Sequence, residues 1–191
     1  MIEKSEVVVR LVQASAEYDA MGADFYDEIF DQVAARIAES GSVGKLDLAA
    51  LVTWKRLRAD APWVTALMRL PDQRVRACTC RAVVAVNDPS LSVADAAHLG
   101  RQVLLELPGG RGTGAFPSAV LTAAAPQRMA VYDWRARQGL QRLGIPFSTK
   151  GGSTYRRYMI EVEMLRGLLA QHNQHWTARK VDLALFMLGR N

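Results

Sequence analysis

Apolar side chains recur every three or four residues along most of the chain, the spacing that lines one face of an α-helix. Phe25, Ile29, Phe30, Val33 and Ile37 define one such face, and Gly41-Ser42-Val43-Gly44 ends it. The same reading predicts helices over about residues 46–59, 62–70 and 72–86, with Val75, Cys78, Val83 and Val86 on or near the inner stripe of the last. After the turn Asn87-Asp88-Pro89-Ser90, Ser92 and Asp95 form a capping-box variant with Asp in place of Glu or Gln, opening a helix to about Glu106. Four further helices are expected over about 115–125, 134–143, 154–172 and 177–188. Pro117 is tolerated in the first turn of its helix, because the N–H it lacks has no intrahelical partner there. The run Val7–Val12 is compatible with a short strand or with the start of a helix. About nine helices, short connections and no convincing sheet predict an all-α fold.

Composition narrows the class. The chain has 191 residues, half of them apolar, and a mean hydropathy near zero, which suits one soluble domain. No apolar run approaches the roughly 18 residues of a membrane span, and the start Met1-Ile2-Glu3-Lys4 lacks the basic and apolar regions of a secretory signal. A cytoplasmic protein without membrane attachment is expected. Cys78 and Cys80 are too few for a zinc site and too close in sequence for a useful disulfide, and are read as reduced and buried. His98, His172 and His175 show no metal spacing, so neither metal nor cofactor is expected.

Charge is divided along the chain. Residues 1–50 carry 4 Lys and Arg against 10 Asp and Glu, a net of −6, and residues 51–191 carry 20 against 9, a net of +11. A basic body behind an acidic segment fits a phosphate-bearing partner. It fits equally a codon bias toward Ala and Arg, since 19 of the 24 basic residues are Arg.

The segment most suggestive of chemistry is Leu107–Arg135. Leu107-Pro108-Gly109-Gly110-Arg111-Gly112-Thr113-Gly114 places four glycines in six positions between two helices, a hairpin whose backbone N–H groups suit phosphate oxygens. Asp133 follows Gly114 by 19 positions, at the start of the helix that Trp134 opens. A carboxylate there caps the helix and is favoured as an anion by its dipole. Capping and catalysis are both open to it.

This pattern resembles the helix-hairpin-helix DNA glycosylase superfamily, which includes endonuclease III and the adenine and 8-oxoguanine glycosylases. Leu107-Pro108-Gly109 matches the motif's opening, Ser118-Ala119-Val120-Leu121 its small-residue helix, and Val131-Tyr132-Asp133 the approach to its aspartate. The resemblance implies two helical lobes, one over about 45–109 and one combining 110–191 with 1–44. It further implies duplex DNA as partner, with Gly109, Gly110, Arg111, Gly112, Thr113 and Gly114 on its backbone. A damaged or modified base would enter a pocket between the lobes, with Asp133 as the catalytic carboxylate. Trp54-Lys55 falls near the family's base-wedging position, and Trp54, Lys55, Tyr132 and Trp134 become base-pocket candidates. Trp54 also reads as a core residue, with Lys55 and Arg56 on a solvated face.

The hairpin is about two residues longer than the family's. No lysine lies between Lys55 and Lys150, where strand-cutting members carry one, and the four cysteines of an iron–sulfur loop are missing. The resemblance therefore implies a monofunctional N-glycosylase without metal. The alternative is a non-catalytic DNA-binding module of the same fold. Tyr155-Arg156-Arg157-Tyr158 fits a phosphate-contacting helix or a solvated amphipathic one.

Overall fold

A computed structural model describes residues 3–22, 24–112, 114–149 and 153–190. These residues form ten α-helices and no strand: α1 Lys4–Ala20, α2 Asp24–Ser40, α3 Lys45–Trp54, α4 Pro62–Met68, α5 Asp72–Asn87, α6 Val93–Leu104, α7 Ala115–Ala124, α8 Trp134–Arg142, α9 Thr154–Gln171 and α10 Ala178–Leu188. The all-α class read from periodicity holds. No described helix is long and apolar enough to cross a membrane.

The tenth helix is α1, which resolves the Val7–Val12 run. Val7, Val8, Leu11, Ala14 and Tyr18 are buried and Val9 is exposed, a three-and-four spacing that a strand's strict alternation cannot produce. Cap chemistry sets several helix starts. Ser92 Oγ accepts from the Asp95 amide at 3.1 Å, but Asp95 binds the Ser92 hydroxyl rather than the backbone N–H of a true capping box. That hydroxyl, with Arg156 beyond it, holds the Asp95 carboxyl below the usual range. Thr177 caps α10 through the Lys180 amide as expected, and Ser153, one residue ahead of the predicted start, caps α9.

The largest departure is the end of α3. The helix stops at Trp54, not near Ala59, because Arg56 adopts a left-handed backbone at φ 53°. Its amide binds the Thr53 carbonyl and the Leu57 amide binds the Val52 carbonyl, both at 2.9 Å. This is a Schellman closure with Arg where Gly or Asn is usual, at a steric cost of about 1–2 kcal/mol. The turn directs Lys55 and Arg56 out of the helix.

α1, α8 and α10 pack together, while α9 bridges α10 to α6. α7 lies on α5 and α6 and also against the pair α2 and α3, so helices on both sides of residue 109 share one packed group. The buried apolar side chains form one continuous cluster. Two of the side-chain readings change. Cys78 is buried but Cys80 is exposed, both as free thiols. Tyr155 and Tyr158 belong to the core rather than to a solvated face.

Candidate active-site cleft and hairpin

A cleft of about 830 Å³ opens between the ends of α1, α8 and α10 on one side and the α2–α3 pair on the other. Asp133 and Lys55, 78 positions apart, meet in its wall: Lys55 Nζ donates to Asp133 Oδ2 at 2.5 Å, and each side chain is 13% exposed. The second carboxylate oxygen, Oδ1, accepts from the Ala136 amide at 2.9 Å and caps α8. Asp133 caps a helix and it lines a cleft.

The strand-like approach to Asp133 is fixed by α7 and α9. Ser118 Oγ accepts from the Tyr132 amide at 2.9 Å, and Tyr155 Oη donates to the Ala130 carbonyl at 3.0 Å. In the sequence Ser118 signals only a small residue of an apolar helix; its buried hydroxyl clamps the backbone that leads to Asp133. The Lys55 and Ala136 bonds meanwhile hold one carboxylate oxygen of Asp133 each.

Aromatic and cationic side chains make up most of the remaining lining. Trp134 is 62% exposed, with the Arg135 guanidinium 5.4 Å from its ring. Tyr26 lies under the Arg56 guanidinium at 5.2 Å, and Phe186 under that of Arg135 at 5.0 Å. Arg56, Arg135, Arg137 and Arg190 line the cleft, and among the described residues none of the four makes an ion pair. Five cations thus face the single carboxylate of Asp133. Low-dielectric walls focus such a field toward an anionic ligand. Trp54 is corrected by its placement: it is buried at 3% exposure and is a core residue beneath the cleft, not part of its lining.

That core beneath the cleft contains an ion network which periodicity could not reveal. Arg179 is paired with Asp182 and, at 3.0 Å, with Asp27. Asp27 also accepts from Tyr18 Oη at 2.6 Å and from Trp54 Nε1 at 3.2 Å. The guanidinium stacks near Phe30 and Trp54, at 4.8 and 5.1 Å from their centroids. Burial pushes the Asp182 carboxyl up, against the pull of Arg179. One cluster thereby ties α1, α2, α3 and α10 together under the residues that line the cleft.

No family model, curated protein or solved structure matches this chain.

The hairpin joins α6 to α7 at the edge of the same cleft, which Ala115 also lines. Gly109 has φ 84° and lies against Trp63, where a Cβ would come within 2.3 Å of the ring. At Gly110 a Cβ would come within 1.8 Å of the Leu104 carbonyl oxygen, a backbone overlap that no rotamer relieves. Their amides are not equally free. Gly110 donates to the Leu107 carbonyl and Gly112 to the Gly109 carbonyl, so these two amides are already engaged within the hairpin. Arg111 and Gly112 are exposed, and Thr113 lies outside the described residues.

Proposed function

We propose that this protein binds duplex DNA and acts on a damaged or modified base as a monofunctional N-glycosylase of the helix-hairpin-helix type. The observation that carries this reading is Asp133 paired with Lys55 in the wall of a cationic, aromatic cleft beside a glycine hairpin. A base displaced from the stack would enter the cleft and meet Trp134, while the hairpin holds the backbone.

The pair supports a specific course of reaction. The glycosidic C1′–N bond breaks with its electrons going to the base, and Lys55 gives a proton to that base. Loss of the proton leaves Asp133 without its neutralising partner just as the sugar becomes cationic, so the carboxylate's field acts where charge develops. Water then adds to C1′ and returns a proton to Lys55. The sum is hydrolysis, with no strand cleavage.

The test is release of free base from duplexes carrying a panel of damaged and modified bases, scored after chemical cleavage of abasic sites. Release by the wild type and its loss in Lys55→Met are expected. Binding without release from any duplex would favour the non-catalytic module instead.

Arg56 offers an independent check. Its left-handed backbone costs stability and its side chain faces the cleft, a combination found where strain serves function. Arg56→Gly is expected to leave the unfolding free energy within about 1 kcal/mol of wild type, since relief of strain offsets the lost Tyr26 contact. Affinity for duplex DNA should fall in the same variant. Unchanged affinity would remove Arg56 from the binding surface.

A further inference from the structure

A second cavity, of about 380 Å³, lies across Tyr132 from the cleft, and Tyr132 lines both. Its other walls include Arg101 and Gln102 of α6, Gly112 and Gly114 of the hairpin, and Ser153 and Thr154 at the start of α9. Among the described residues, no acidic side chain lines it. Arg101 is partly buried, and its Nη1 is fully enclosed without a hydrogen-bond partner. Other arginines that reach into the fold are balanced: Arg179 by two carboxylates, and Arg128 by the carbonyls of Val86, Asp88 and Leu91. Arg101 has neither. Burial depresses its pKa, and no carboxylate counters that effect. A guanidinium taken out of water without a counter-ion is costly, and a bound anion is the direct remedy. The neighbouring groups suit one, since Gln102 carries a donor amide, Thr154 a hydroxyl, and the first N–H groups of the 18-residue helix α9 open here.

The geometry points to a phosphate-binding pocket centred on Arg101, separate from the Asp133 cleft and divided from it by Tyr132. A tetrahedral oxyanion there would take charge-assisted hydrogen bonds from Arg101 and polar contacts from Gln102 and the Ser153–Thr154 turn. The phosphate comes either from the DNA backbone, passing over the hairpin from the cleft, or from a free phosphate ion. The first source rests on the DNA reading above; the pocket itself does not.

Two variants and two measurements decide the matter. Arg101→Gln removes the cation and keeps a polar side chain. Thr154→Asp places a carboxylate in the first turn of α9, where the helix dipole favours it, and should fold as well as wild type while excluding an anion. Melting is followed by circular dichroism in sodium phosphate and in sodium chloride at matched ionic strength. Wild-type Tm is expected to rise with phosphate over chloride, as binding to the folded state requires, and the rise should vanish in both variants. In parallel, the dependence of duplex affinity on salt is measured. A slope reduced by about one in Arg101→Gln assigns the pocket to a backbone phosphate. A lost phosphate effect with an unchanged slope assigns it to free phosphate. Equal phosphate stabilisation of wild type and both variants would overturn the proposal. So would the absence of any phosphate effect together with an unchanged slope. If the chain binds no duplex, the DNA reading fails and the melting experiment alone judges the pocket.

Discussion

Asp133→Asn should reduce base release by about 10²–10³-fold or more while leaving all helices in place. Asn caps a helix nearly as well as Asp, so the bond from the Ala136 amide survives. The negative charge does not, and a cationic sugar loses its stabilising field. The pairing with Lys55 adds a cost that capping alone would not produce. The Lys55 ammonium, 13% exposed, is left without its counter-ion, which should lower stability by about 1–3 kcal/mol, less than for a fully buried pair because the cleft admits water. Lys55→Met should incur a similar loss, and the double variant should lose less than the sum of the two. Urea unfolding measures the coupling, and single-turnover base release measures the chemistry. Additive stability losses would mean that Lys55 and Asp133 do not interact in solution, and unchanged release in Asp133→Asn would remove the carboxylate from the mechanism.

The largest stability loss is expected from Arg179→Met. It leaves Asp182, 3% exposed, and the partly buried Asp27 without their shared cation, at a cost of about 3–5 kcal/mol. The loss should depend on pH. Burial already raises the Asp182 carboxyl, so the folded chain holds that proton more tightly than the unfolded chain does. Stability from this group is therefore highest below the unfolded value of about 3.9 and declines as pH rises through the raised folded value. Removing Arg179 raises the folded value further and moves the decline toward neutrality. The variant's deficit should accordingly be smaller at pH 5 than at pH 8 in urea titrations. A deficit equal at both pH values would show that Asp182 stays charged without Arg179.

Much of the fold was legible because helix starts and apolar faces are local. Ser92, Asp133 and Thr177 announce their caps, and of the five apolar positions read as one face of α2, Phe30, Val33 and Ile37 face the core while Phe25 and Ile29 are exposed. The end of α3 was not legible, since an Arg in a left-handed closure carries none of the signal that Gly or Asn would give. α1 was hidden by β-branched residues at its start, where burial against α10 overrides propensity. For the site, the hairpin and Asp133 carry a signal in the sequence, and Lys55 is a base-pocket candidate through the resemblance alone, with nothing to pair it with Asp133. That Lys55 reaches Asp133, that Trp54 turns inward to Asp27, and that Arg179 joins four helices are tertiary facts. No local pattern encodes them.

The most direct measurement of the central claim is the affinity of the intact chain for a short duplex as salt is raised from about 50 to 200 mM, alongside Gly112→Asp. Gly112 is exposed, and a Cβ there meets only the Gly109 carbonyl oxygen at 3.4 Å, so the substitution tests charge at the hairpin rather than folding. Several phosphate contacts by the cleft arginines and the hairpin should make log affinity fall linearly with log salt, by roughly one unit of slope per phosphate. Gly112→Asp should bind more weakly throughout. Undetectable binding at about 50 mM salt, or an affinity flat with salt and equal in the two proteins, would contradict the assignment of this surface to DNA.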